Sequence, residues 1–396
     1  MKKISASYIF RGKGPPLKNG ILTCSDDGTI LEITDTGSNL RKMPSLEYYN
    51  GILMPGFINA HCHIELSHLK GKIREKTGIS NFIGEINRLR DEDRETTEKE
   101  IEKADSHLFS MGTAATGDIS NSIISLKTKL NSNIYYHTFV EAFGFHPSRA
   151  EKAYNLACQI EKIYHENRLA ASVVPHSPYS VSTSLFEKIK RKALTEKSIL
   201  SIHNQESMGE SEFYQYGTGP VAAHLKYNLG IDISHWKPTG QNSLISVLPF
   251  LPPENQLLLV HNTYTSSEDI AEITKHRNKE NTFFVLCPNA NLYIENRLPP
   301  LPLLQKENLN ICLGTDSLAS NHQLSILAEM ITLQQYFDIT LEELTVWACF
   351  NGARALKTDK ILGSFEPGKK PGINLITGVD LHNLKLTEDS KVTRLI

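Results

Sequence analysis

The sequence predicts an α/β chain built on a closed (β/α)8 TIM barrel, and three observations carry that expectation. Eight apolar runs of strand length alternate with helix-patterned stretches, the signature of βα units around a parallel sheet. Titratable residues stand at the ends of most of those runs, where barrel enzymes place their chemistry. Short strand-and-turn segments at the two ends of the chain stand outside the alternation. The length of 396 residues suits either two or three domains of roughly 150 residues or one barrel of about 250 with an appendage.

Taken in order, the first residues, Met1–Arg11, start basic, but Ser5 and Ser7 interrupt the apolar stretch and no small-residue cleavage site follows, so a first β-strand is expected there. Ile21-Leu22-Thr23-Cys24 and Ile30-Leu31-Glu32-Ile33 read as further strands around the turn Ser25–Thr29. Near the other end, Gly363–Gly368 leads into the strand-like Ile373–Ile376. Chain termini commonly lie close together in space. The expected division is therefore a small β-sandwich-like domain from residues 1–55 and 363–396, and a barrel over residues 56–362. Its strands are expected at Gly56–His63, Thr113–Ile119, Ile134–Val140, Ala171–Pro175, Ile199–His203, Gln256–Val260, Thr282–Leu286 and Asn310–Gly314. Helices are expected between them, at Glu85–Lys103, Arg149–Glu166, Ser184–Glu196 and Ser266–His276 among others.

Lys and Arg number 42 against 44 Asp and Glu, a net charge of −2 that argues against nucleic acid or a polybasic membrane patch and leaves small molecules as the default partners. The 6 cysteines are scattered without a CxxC pair, which points to a reducing compartment. No apolar run approaches the roughly 20 residues of a membrane span. A soluble, cytoplasmic protein without membrane or nucleic-acid partners is expected, with homo-oligomerisation left open.

His61 and His63 flank Cys62 on the first barrel strand, so alternation turns both imidazoles to one face and the thiol to the other. A catalytic metal wants three or four protein ligands and one open position, and imidazole plus carboxylate suits zinc or iron. His203 and Asp316 supply the remaining ligands from other parts of the barrel mouth. Glu206, three residues past His203, is placed to exchange protons with a water at the metal. His261 closes the apolar run Leu257–Val260, where an imidazole can align that water or polarise a substrate. Glu141, at the end of the third run, is open to two readings: a second metal ligand, or a structural hydrogen-bond partner. Tyr214, Tyr216 and Trp236 lie on the long connection between the fifth and sixth runs, a candidate substrate wall whose aromatics either stack on a ring or pack the wall itself.

Pro55-Gly56-Phe57-Ile58-Asn59-Ala60-His61-Cys62-His63 resembles the opening motif of the amidohydrolase superfamily, in its branch of cytosine-deaminase-like enzymes, chlorohydrolases and nucleoside-type deaminases. Similar segments follow in order: Gly112–Asp118, His176–Ser180, His203-Asn204-Gln205-Glu206, Val260-His261-Asn262, Cys287–Leu292 and Leu313–Ser317. Asn351–Leu356 and Gly363–Lys369 are similar to the closing part. The resemblance spans nearly the whole chain.

The resemblance implies one divalent metal ion, zinc before iron, on His61, His63, His203 and Asp316. It also implies catalytic roles for Glu206, His261 and Asp316. Members that open cyclic amides with two metals usually carry a modified lysine at the fourth strand; His176 stands there instead, which favours one metal and a deaminase-type reaction. The expected reaction releases ammonia from a heteroaromatic amine, with activated water as nucleophile and Glu206 as proton shuttle. His176–Ser180 and His63–Ser67 look most like the purine-nucleoside-type deaminases, those acting on aminofutalosine among them. His176, Glu65 and Trp236 are the expected substrate contacts, Glu65 being equally suited to a rim salt bridge. Two other readings stay open: hydrolysis of an N-acyl, cyclic amide or C–Cl bond on the same site, and a non-catalytic relative.

Overall fold

The computed structural model describes residues 1–90 and 92–396. Five strands come before the barrel: Lys2–Ile9 (β1), Leu17–Lys18 (β2), Ile21–Cys24 (β3), Ile30–Thr34 (β4) and Leu46–Pro55 (β5). Eight more follow: Phe57–Cys62 (β6), Thr113–Ser120 (β7), Tyr135–Ala142 (β8), Ala170–Pro175 (β9), Leu200–Asn204 (β10), Leu257–His261 (β11), Thr282–Leu286 (β12) and Asn310–Leu313 (β13). Every one lies within two residues of its predicted bounds. Ile373–Thr377 (β14) and Lys391–Arg394 (β15) come last.

Strands from both ends join in one seven-stranded sheet of order β15-β14-β5-β1-β3-β4, with β2 against β1. Ile4, Ala6, Leu22, Leu53, Phe365 and Leu375 share its apolar core, so residues far apart in sequence bury one another. The eight barrel strands pair in parallel as β6-β7-β8-β9 and β10-β11-β12-β13. Two seams complete the ring. At β9/β10, His203 N donates to the His176 carbonyl over 3.0 Å; at β13/β6, Thr315 N and Asp316 N donate to the His61 carbonyl over 3.0 and 3.1 Å. The closing bonds thus come from the candidate site residues themselves.

Barrel strands are covered on both faces, which is why they read as nearly continuous apolar runs; Leu257, Leu258, Leu259 and Val260 are all fully buried. The helix Ala150–Glu166 buries Ala157, Ile160 and Tyr164, spaced three and four apart on its inner stripe. The predicted helix Glu85–Lys103 is two helices, Ile79–Leu89 and Arg94–Ser110, with residue 91 outside the described residues. The second helix starts because the Asp93 carboxylate, on extended backbone, accepts Thr96 N and so caps a new N-terminus. The long connection after β10 is likewise no open loop: it carries the helices Met208–Tyr216, Gly219–Ala223 and Ser243–Val247. No helix among the described residues is long and apolar enough to cross a membrane.

Candidate metal centre and active site

His61 is the fully buried penultimate residue of β6, and His63 lies just beyond the strand, with the two rings nearly perpendicular at 81°. Their Nε2 atoms are 3.1 Å apart, and His63 Nε2 lies 3.3 Å from His203 Nε2. Asp316 Oδ1 sits 3.3 Å from His63 Nε2 and 3.6 Å from His61 Nε2. Four expected ligands therefore converge from β6, β10 and β13. On a tetrahedron with bonds of about 2.0–2.1 Å, neighbouring ligand atoms lie roughly 3.3 Å apart, so the donor set fits a zinc-sized ion. Burial pushes the His61, His63 and His261 imidazoles down to about 4, leaving lone pairs free at neutral pH. Burial works against ionised Asp316, but the bond to His61 and the His63 and His261 rings hold its carboxyl well below the usual range.

The chain leaves its strands here in unusual backbone. Gln205, His261, Asn262 and Asp316 all have positive φ, at 47°, 75°, 57° and 56°. Left-handed backbone of this kind costs on the order of 1–3 kcal/mol per residue and survives only where the surroundings impose it. They do so through polar braces. Ser320 Oγ donates to Asp316 Oδ2 over 2.5 Å, and the Asn59 side chain both donates to Thr315 Oγ1 and accepts Thr315 N. His261 Nδ1 lies 2.9 Å from Asn291 Oδ1, and Asn291 donates onward to Thr263 Oγ1. An Nδ1 that donates there leaves Nε2 unprotonated and facing the site.

Glu206 Oε1 lies 3.6 Å from His261 Nε2. Burial pushes this carboxyl well above its ordinary value, and Asp316, Glu295 and Glu210 add to the push while His203 opposes it. The turn bearing Glu206 is held by Glu210, whose Oε1 accepts Gln205 N over 3.0 Å and whose Oε2 accepts Glu206 N over 3.3 Å. A short bond from Ser243 Oγ reaches the same carboxylate. In sequence Glu210 is one more polar residue on a helix; its spacing of four from Glu206 was the available signal.

Glu141 Oε1 is 3.3 Å from His203 Nδ1, which also lies 2.8 Å from the His176 carbonyl. Burial works against a charged His203, but the Glu141 contact outweighs it and lifts the imidazole to about 9. Glu141, His176 and His203 make a second cluster of possible ligands, yet His203 turns only Nδ1 toward it while Nε2 serves the first. Glu141 thus stands behind a candidate ligand, the place that carboxylates commonly take beside metal-binding histidines. His176 Nδ1 is taken by Ser180 Oγ at 2.8 Å and Ser177 Oγ at 3.1 Å, with its ring 4.9 Å from that of His203.

A cavity of about 350 Å³ opens beside His63, lined also by Glu65, Leu66, His68, Arg90 and Asn121. Its size is that of a small-molecule site. Among the described residues Glu65 makes no salt bridge: its oxygens accept Asn121 N and Ser122 Oγ over 3.0 and 3.1 Å. Burial lifts this carboxyl to about 7 against those bonds. Trp236 lies elsewhere, stacked on Phe213 at 4.1 Å and 11° and edge-on to Tyr214. Its ring packs the wall rather than lining the cavity beside His63.

The amidohydrolase family model matches residues 52–395. An adenosine deaminase of Helicobacter pylori is 27% identical over 380 residues, covering 93% of this chain and 89% of that protein. Among solved structures, H. pylori aminofutalosine deaminase in complex with methylthio-coformycin superposes with a TM-score of 0.79 at 22% identity over 100% of both chains. An adenosine deaminase from Xanthomonas campestris with bound zinc gives 0.73 at 20% identity, covering 98% of this chain and 87% of that one. At these identities the superpositions show a shared fold.

Proposed function

The chain belongs to the amidohydrolase family, and from that premise we propose that it is a metal-dependent aminohydrolase releasing ammonia from a heteroaromatic amine of the purine-nucleoside type. His61, His63, His203 and Asp316 hold one divalent ion in this reading, zinc by donor set and by the bound zinc of the Xanthomonas relative. Such an ion supplies Lewis acidity that lets water ionise near neutral pH. Glu206 gives a proton to the ring nitrogen beside the carbon under attack and then carries a second to the departing amine. His261, fixed by Asn291, keeps its unprotonated nitrogen toward the attacking water. His176 and Glu65 bound the substrate at β9 and at the cavity beside His63. The six free cysteines suit a cytoplasmic enzyme. We also take residues 1–55 with 363–396 as one domain and 56–362 as the catalytic one.

The observation that carries this reading is a buried carboxyl, Glu206, within 3.6 Å of His261 at the rim of the four-ligand cluster. The test is ammonia release from adenosine, guanosine, aminofutalosine, cytosine and triazines, alongside metal analysis. Ammonia from a nucleoside-type amine with about one metal per chain is the expected result. A silent panel beside a positive acyl- or chloride-release assay would replace the deaminase with another hydrolase.

A further inference from the structure

The β6/β7 ladder slips where the metal ligands begin. Asn59 pairs with Thr116 and Cys62 with Asp118, so β6 carries one residue more than β7 across that step. An extra residue bends a strand and re-aims its side chains, leaving backbone groups without ladder partners. The bend brings the Ala60 carbonyl against Gly117, where an added Cβ would sit 2.6 Å from that oxygen. Past the slip, the backbone N–H of Ile64, the residue next to His63, is taken by a side chain: Asp118 Oδ1 accepts it at 2.9 Å.

Asp118 is itself fixed from behind. Its Oδ2 lies 2.7 Å from Lys129 Nζ, and both side chains are completely buried. The ammonium has three protons and three oxygens to meet them: Asp118 Oδ2, Ser120 Oγ at 2.9 Å and Thr138 Oγ1 at 3.0 Å. The rings of Tyr136 and Tyr164 cover it at 5.4 and 5.0 Å. The end of the same strand supplies Asn121 N and Ser122 Oγ to Glu65. Two consecutive points of the turn after His63 are therefore tied to the end of β7.

A buried ion pair is weak as a source of stability, since an apolar pair of similar volume often does as well. What this pair supplies is an immobile oxygen under Ile64. We propose that Asp118, held by Lys129, is a positioning residue for the metal centre: it accepts the N–H of Ile64, which opens a 3-10 turn just past the end of β6 and has no partner within that turn, and thereby sets where His63 points. The role rests on the reading of His63 as a ligand.

Two double variants separate this role from simple loss of charge. D118N/K129M removes both charges but keeps an amide oxygen for Ile64 N–H; D118L/K129M removes both charges and the oxygen. Zinc affinity is measured by competition with a chromophoric chelator, and unfolding midpoints are recorded on the metal-free proteins. The expected result is affinity within about threefold of the parent for D118N/K129M and about 10- to 100-fold weaker for D118L/K129M, with similar metal-free midpoints for the two. Equal affinities, or a difference confined to the midpoints, would overturn the positioning role. If the leucine variant does not fold, D118A/K129M removes the same oxygen without added bulk and is read the same way. A parent protein that binds no zinc would sink the ligand assignment instead, whereas a zinc-binding parent with two indistinguishable variants would sink only the role of Asp118.

Discussion

At the β13/β6 seam His61 and Asp316 are held by backbone bonds and short neutral side chains; at the β9/β10 seam His203 also has a backbone bond, to His176, but its ring rests in addition on an ionisable side chain, Glu141. His61 and Asp316 share backbone bonds across the first seam, with Asn59, Thr315 and Ser320 filling the gaps. His203, at the second, rests on Glu141, and the strand that bears it leads on to Glu206. Neutral braces hold geometry over a wide pH range, whereas ionised ones hold it only while they keep their charge. The division implies that the first seam supplies a fixed half-site for the metal and the second carries the proton chemistry.

The largest effect expected from that division is at Glu206. Glu206→Gln keeps the size of the side chain and the bond from the Glu206 main-chain N–H to Glu210 but cannot carry protons, so turnover should fall by about 10²- to 10⁴-fold with metal content unchanged by elemental analysis. A variant that lost metal and activity together would make Glu206 part of the metal half-site and erase the contrast between the seams.

Next in size is Glu141→Gln. An amide still reaches His203 Nδ1 but no longer supports it with charge, and disrupting such a partner weakens metal binding by about 10- to 100-fold. Chelator competition measures it. Ser320→Ala at the other seam, by contrast, removes a neutral donor from the charged Asp316 but leaves its metal-facing Oδ1 in place, so binding should weaken by less than in Glu141→Gln. A larger loss from Ser320→Ala than from Glu141→Gln would reverse the comparison.

The same contrast should be visible in pH. In the metal-free protein Glu141 raises His203 from about 6.5 to about 9, so folding favours its protonated form. That contribution to stability is complete below about pH 6.5 and is lost as pH rises through about 9. Metal must displace the proton, so affinity should climb roughly tenfold per pH unit up to about 9 and then level off. Glu141→Gln removes the largest upward contribution and leaves burial opposed only by the Glu206 and Asp316 charges, which flattens the slope above neutral pH. A parent slope already flat between pH 7 and 9 would show that His203 is not charged there.

How much of this was legible in the sequence follows the same line. Strand ends are legible because burial on both faces makes each run apolar up to the residue where chemistry begins, as Leu257–Val260 before His261 shows. His61, His63, His203 and Asp316 meet because the barrel brings their strand ends together, so reading the fold also assembled the candidate ligands. Their partners are less legible. Glu141 stands out at a strand end but leaves two roles open, and Glu210 and Lys129, 4 and 11 residues from Glu206 and Asp118, look in sequence like solvated charges apart from the spacing of four. The separation of Ile79–Leu89 from Arg94–Ser110 is not legible because charge patterning looks the same in one long helix as in two with an Asp93 cap. Trp236 carries both readings in the sequence because an aromatic on a long connection looks identical whether it stacks on a ligand or on another ring such as Phe213.

The smallest effect expected on catalysis is at Trp236, on the excursion that leaves β10. Its stack on Phe213 and edge contact with Tyr214 tie residues 231–239 to the helix Met208–Tyr216, which follows directly on Glu206. Trp236→Ala removes a partly exposed ring, so it should cost less than the roughly 3–5 kcal/mol of a fully buried one, lowering the unfolding midpoint by several degrees. Because Glu210 independently holds the Glu206 turn, kcat/KM should stay within about threefold. A drop in kcat/KM of tenfold or more with an unchanged midpoint would instead put the indole on the substrate. The excursion would then belong to the chemistry of the second seam rather than to its wall.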